Sequence, residues 1–173
     1  MKRIVYVLAL MICCGGGAVP ALAGDDAPKL IGSHGAWKVY SFLDNNEKIC
    51  FMSSQPQKQK GKFKKRGEVF FFVTRWSDEK DKNVVSISNG YSFKLDSPVT
   101  VKVGDKTFKL FTQGETAWTK DQSMDDAIAE ALKKGSTLAV KGTSDRGTET
   151  TDTYSLKGSG AAYRAITKAC AKK

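Results

Sequence analysis

The stretch "VTVKVGDKTFKL", residues 99–110, decides how the rest of the chain is read. With Gly104 and Asp105 as a two-residue loop, Val101 falls opposite Phe108 and Val99 opposite Leu110. Both apolar pairs share one face and the polar residues take the other, the register that a half-buried antiparallel hairpin requires. Working outward, the same period of two recurs. Trp37, Val39, Ser41 and Leu43 alternate with Lys38, Tyr40 and Phe42; Asp44 to Asn46 supply a turn, and Ile49 to Met52 return as a strand carrying Cys50. The run Val69 to Val73 is apolar at every position, which predicts a central strand covered on both faces. Val84 to Ser88 is another strand, and Asn89-Gly90 turns the chain into one alternating at Tyr91, Phe93 and Leu95. Glu115 to Thr119 adds a short strand, and strands resume at Thr137 to Lys141 and Thr148 to Leu156.

Two helices interrupt the strands. Ser123 reads as an N-cap, followed by a stripe of Met124, Ala127, Ile128, Ala131 and Leu132; Lys133, Lys134 and Gly135 suit the C-terminal end. A second stripe, Ala162, Ala165, Ile166, Ala169 and Cys170, turns Cys170 inward near the end of the chain. Short strands with turn signals and two helices predict a mainly β protein, an antiparallel β-sandwich with one or two short α-helices.

Residues 1–23 have the layout of a secretory signal peptide: Lys2 and Arg3, an apolar core from Ile4 to Cys14, and Ala21-Leu22-Ala23 before the cleavage point. The core is shorter than the roughly 20 residues of a membrane span, so a retained anchor is the weaker reading. A lipoprotein is a second alternative, with Cys13 after an apolar triplet, although Ile12 is bulky where a lipidation site wants a small residue. Residues 24–173 then form one domain with no transmembrane span. Loss of Lys2 and Arg3 takes Lys+Arg from 28 to 26 against 18 Asp+Glu, a net charge of +8. Cys13 and Cys14 leave as well. Cys50 and Cys170 remain, and in an oxidising compartment they pair economically as a disulfide; two buried free thiols are the alternative.

The chemistry of catalysis is sparse. His34 is the single histidine, and no Gly-x-Ser-x-Gly elbow accompanies it. Metal-ligand spacings are missing, and Asp78, Glu79 and Asp81 are interleaved with Lys80 and Lys82, as in a solvated loop rather than a calcium site. Neither a cofactor nor a metal is expected. Gly142 and Gly147 bracket Thr143 to Arg146 as a turn or bulged hairpin in which Asp145 and Arg146 can pair locally. Against this stands "KQKGKFKKR", residues 58–66: Lys58, Lys60, Lys62, Lys64, Lys65 and Arg66 place six positive charges in nine residues around Phe63. Such density in a loop or exposed hairpin reads either as a contact for an anionic partner or as a solubilising device. The partners implied are lipid phosphates, an acidic glycan or other anionic envelope component, or a host-surface factor. Nucleic acid is not expected, because the chain is exported and no nucleic-acid-binding module surrounds the run.

Trp37, Cys50, "NGYSF" at 89–93, Trp118 and "GTSDRGTETTDTYSLKG" at 142–158, followed by Ala161-Ala162 and Cys170, come in a characteristic order. In them the chain resembles the invasion-associated locus B family of alphaproteobacterial exported proteins. The resemblance implies an immunoglobulin-like β-sandwich, a place in the periplasm or cell envelope, and, in pathogenic members, a link to host-cell entry. It implies no known reaction. The lysine-rich run exceeds what the family pattern requires. Two functions follow: a non-enzymatic envelope protein presenting loops to a partner, or a hydrolase acting on an envelope polymer through carboxylates that sequence does not pair.

The targeting segment can be tested first. N-terminal sequencing of the protein from its native envelope is expected to begin at Gly24, and a mature form starting at an acylated Cys13 or Cys14 would overturn that assignment.

Overall fold

A computed structural model describes residues 27–77 and 82–171. The expected leader (1–23) and Asp78, Glu79, Lys80 and Asp81 lie outside the described residues. In chain order the elements are β1 Lys29–His34, β2 Trp37–Asp44, β3 Glu47–Ser54, β4 Lys58–Gly61, β5 Phe70–Trp76, β6 Val84–Ser88, β7 Val99–Val103, β8 Lys106–Gln113 and β9 Thr116–Trp118. They continue with α1 Gln122–Lys134, β10 Thr137–Thr143, β11 Glu149–Ser155 and α2 Ser159–Ala169.

The strands pair antiparallel in the order β1-β2-β3-β5-β6-β9-β8-β7-β10-β11-β4. This continuous sheet folds into two layers through β8, whose first five residues pair with β7 and whose last three pair with β9. The 99–110 hairpin has the register read from sequence, Val99 opposite Leu110 and Val101 opposite Phe108. Asn45 and Asn46, at φ 48° and 66°, make the two-residue turn between β2 and β3, because a turn that follows the right-handed twist of the strands needs positive φ at both central positions.

Between the layers lies a core built from one parity of each strand: Trp37, Val39, Met52, Phe71, Val73, Val85 and Ile87 on one side, Val101, Leu110, Leu138, Val140 and Tyr154 on the other. Trp37 donates its indole N–H to the Ser155 carbonyl across the gap, and Phe71 meets Tyr154 edge to face. The helices close one end of the core. Asp125 in α1 accepts from the Val85 N–H and the Thr119 hydroxyl, and burial pushes its carboxyl above the ordinary carboxylate range. Ile166 and Ala162 of α2 are buried against the β2–β3 region, where Cys170 is joined to Cys50 with Cα atoms 5.9 Å apart.

Several local expectations change. The α1 N-cap is Asp121, whose carboxylate accepts from the Met124 N–H, rather than Ser123. The Tyr91–Leu95 segment is no strand: Phe93 makes an isolated bridge to Ser144, Asp96 sits at φ 56°, and Leu95 is 87% exposed. Its backbone is consumed in crossing between the layers, with Phe93 N–H donating to Gly114 and Lys94 N–H to Thr143. The β5 strand is covered on one face. Phe71 and Val73 are buried inside, whereas Phe70 and Phe72 stand half-buried on the outer face, supported by other aromatic rings. Two short edge strands, β1 and β4, were not visible as strands in the sequence, since neither has an alternating apolar face.

The disulfide closes 120 residues, which in the chain-entropy account removes about 4–5 kcal/mol of unfolded-state freedom. Reduction is therefore expected to lower the melting temperature by roughly 10 °C or more, measured by calorimetry with and without reductant. Cys170→Ser should raise hydrogen exchange in α2 before the sheet. Two alkyl adducts on the unreduced, alkylated protein would show that the thiols are free.

Candidate functional site

The basic run divides into three parts. Lys58 and Lys60 lie in β4, which pairs with β11 at Lys58↔Thr153 and Lys60↔Thr151. Lys62, Lys64 and Lys65 are exposed in the connection to β5, and Phe63 is 36% exposed among them. Arg66 leaves the cationic surface altogether: its side chain is 3% exposed. Its guanidinium donates to both carboxylate oxygens of Asp152, at 2.7 and 2.6 Å, and its Nε donates to the Asn89 carbonyl at 2.5 Å. Phe63 and Tyr91 lie against the guanidinium at 5.5 and 5.0 Å. The expectation that Arg66 joins the anion-contacting residues is corrected here, because Asp152 points into the core and must be paired where it is buried.

The pairing registers bring lysines together that the sequence keeps far apart. Across the outer face of the second layer one row runs Lys109, Thr100, Lys141, Thr151, Lys60, over β8, β7, β10, β11 and β4. The next row runs Thr107, Lys102, Ala139, Thr153, Lys58. All five lysines are exposed. In the first row lysine alternates with threonine strand by strand, so successive ammonium groups are rooted two strand spacings, about 10 Å, apart. The side chains facing outward between them are hydroxyls and one alanine; Glu149 lies at the margin, opposite Thr143. A shallow depression of about 320 Å³ opens on this face, lined by Thr100, Lys141, Thr143, Glu149 and Thr151. Sequence reading found Lys58 and Lys60 but missed Lys102, Lys109 and Lys141. The available signal was their position on the polar parity of predicted strands.

At the neighbouring loop end, a cleft of about 490 Å³ includes Lys65, Arg66, Tyr91, Glu115, Asp145 and Arg146 in its lining. The Thr143–Thr148 turn forms part of its wall. Ser144 is buried, and its hydroxyl accepts from the Thr148 N–H while its backbone pairs with Thr148 and Gly147. Ser144 is therefore spent on the turn, as its neighbours suggested. Gly142 is required because a Cβ there would meet the Tyr91 hydroxyl at 2.9 Å, and that hydroxyl is already bonded to Asn89 and Thr150. The two buried carboxylates among the described residues, Asp125 and Asp152, are each occupied by structural donors, and His34 ends the edge strand β1. Among the described residues no group of three or more His, Cys, Asp or Glu is placed to hold a metal, and no helix is long and apolar enough to cross a membrane.

A two-layer β-sandwich, closed by two helices and tied by a disulfide from an early strand to the C-terminal end, is the class that these features define. Residues 37–167 match the family described as invasion associated locus B (IalB) protein, and the chain belongs to that family. The crystal structure of invasion associated protein B from Bartonella henselae has the same fold, with a TM-score of 0.59 at 16% identity, covering 83% of this chain and 97% of that one. A search of curated proteins finds no match.

The buried ion pair yields a direct test. Asp152→Ala leaves a desolvated guanidinium without its partner and is expected to cost about 3–5 kcal/mol. Replacing both partners, Arg66→Met with Asp152→Leu, should cost much less, and a denaturant double-mutant cycle separates the two.

Proposed function

We propose that this protein is a non-catalytic, exported envelope protein that binds an acidic polysaccharide through the lysine–threonine face of its second layer. The observation that carries the reading is the row Lys109, Thr100, Lys141, Thr151, Lys60, in which charge and hydroxyl alternate across five strands. Along this row successive lysines are rooted about 10 Å apart, slightly beyond the screening length of about 8 Å at physiological ionic strength. Repulsion along the row is thus modest, while an anionic polymer laid across the strands meets several lysines at once. Threonine hydroxyls between the ammonium groups can donate to, and accept from, sugar hydroxyls and carboxylates. Lys62, Lys64 and Lys65 extend the positive field beyond the edge strand and steer an anion toward the face.

Membership of an invasion-associated family, a disulfide suited to an oxidising compartment and the leader expected at residues 1–23 support export to the envelope. The hydrolase reading has less support, because the two buried carboxylates among the described residues are engaged in holding the fold.

Retention on an acidic polysaccharide is expected to fall steeply with salt. Lys60→Gln, Lys109→Gln and Lys141→Gln together should remove most of it at physiological ionic strength while leaving the melting temperature nearly unchanged. The triple loop variant of Lys62, Lys64 and Lys65 to Gln should mainly slow association. Retention of both variants equal to wild type would reduce these lysines to solubilising charges, and preferential binding to anionic vesicles would transfer the face to lipid phosphate.

A further inference from the structure

The opposite side of the molecule is unlike the lysine face. On the outer parity of the first layer stand Tyr40 and Phe42 of β2, Phe51 of β3, Phe70, Phe72 and Trp76 of β5, Trp118 of β9 and Phe111 of β8. Most are half-buried by one another; Phe111 is 49% exposed. Between them lie Ser53, Thr74, Ser86, Ser88 and Thr116. The charged outward positions, Lys38, Asp44, Glu47 and Lys109, border the aromatic group. Among the described residues no named element covers this face: both helices lie on the inner side, where Cys170 meets Cys50 and Tyr163 meets Arg75.

We propose that a second copy of this chain covers it, making a two-fold symmetric dimer through the first layer. Strand spacing and rise per residue give the six strands β2, β3, β5, β6, β9 and β8 a footprint on the order of 600 Å². This area takes in hydroxyl side chains as well as rings, and it is of the same order as the roughly 800 Å² that each partner contributes to a standard interface. Its composition is that of an interface core, rich in aromatics and depleted of charge. A patch without charge is also self-complementary, as a two-fold interface must be. In a chain with an expected mature net charge of +8, it is a broad face on which two copies approach without bringing lysines together.

Ring geometry favours a protein over a sugar. Phe51 stacks on Tyr40 with centroids 5.0 Å apart and meets Phe42 and Phe72 at 6.2 and 6.0 Å in edge-on contacts. Phe70 leans on Phe72 at 5.5 Å. Faces spent on one another leave edges and corners outward, which interdigitate with side chains but do not form flat platforms for pyranose rings. A lipid surface is disfavoured by charge, since the lysine rows that would meet phosphates lie on the other layer.

Sedimentation equilibrium of the disulfide-intact protein is expected to give twice the mass of one chain. Phe111→Glu, at the most exposed ring, should weaken self-association by roughly tenfold or more with an unchanged far-ultraviolet circular dichroism spectrum, and Phe72→Glu should do so more strongly. If Phe72→Glu fails to fold, Thr74→Cys supplies an independent readout. Under mild oxidation it should trap an intermolecular disulfide between two central β5 strands, whereas Thr151→Cys on the lysine face should not. A monomer at every soluble concentration, a dimer that survives Phe111→Glu undiminished and is not trapped through Thr74→Cys, or a monomer that instead binds neutral glycan or lipid vesicles through Phe111 would each overturn the proposal.

Discussion

A guanidinium sealed between the layers organises the region from which the lysine face is built. Arg66 occupies both oxygens of Asp152, in the middle of β11, while its Nε holds the Asn89 carbonyl and the rings of Phe63 and Tyr91 lie against it. Desolvating either charge alone costs several kcal/mol, so the chain after β4 cannot drift from β11 without exposing an unpaired ion to the core. The pair thus fixes where the lysine-rich segment enters the fold. Burial, with Asp152 nearby, pushes the Tyr154 phenol upward and keeps it neutral, so the Arg66–Asp152 pair faces no third charge from that ring.

With the anchor in place, β4 adds its four residues to the edge of the second layer, and two of its lysines complete rows begun on β8, β7 and β10. Lysine on an exposed edge also discourages further strand pairing, so the same residues limit edge-to-edge association. The disulfide has a parallel effect on the other layer. By drawing α2 onto the inner side beside Arg75 and Cys50, it leaves the aromatic outer side free. Folding a single sheet through β8 thereby produces two outward faces of opposite chemistry, one cationic and one aromatic.

These faces have consequences for assembly. A dimer closed through the aromatic sides carries its lysine faces outward and away from each other. If both proposals hold, two weak contacts to one anionic polymer, or to two adjacent ones, would act with the gain that linkage provides. The edge strands β1 and β4 stay at the rims, clear of the contact.

Much of this was legible in the chain itself. The alternation in residues 99–110, the paired turn at Asn45-Asn46 and the two helical stripes are local patterns, and each dictates its own backbone geometry through side-chain period and allowed φ. Cys50 and Cys170 were legible as one candidate bridge once the expected leader is set aside, with two free thiols as the alternative until the fold brought them together. Local pattern also misled where the environment overrode it: Tyr91 to Leu95 alternates like a strand but spends its hydrogen bonds crossing between layers. What only tertiary structure decided is which distant residues share a face. Lys60, Lys109 and Lys141 become one row, Arg66 leaves its lysine neighbours for a buried carboxylate 86 positions away, and Phe70 and Phe72 turn outward to join Tyr40 and Phe51. The physical reason is common to all three. Strand order and register are set by long-range pairing, and a one-residue shift exchanges the faces, so no window of sequence contains the information that assembles a surface from five strands.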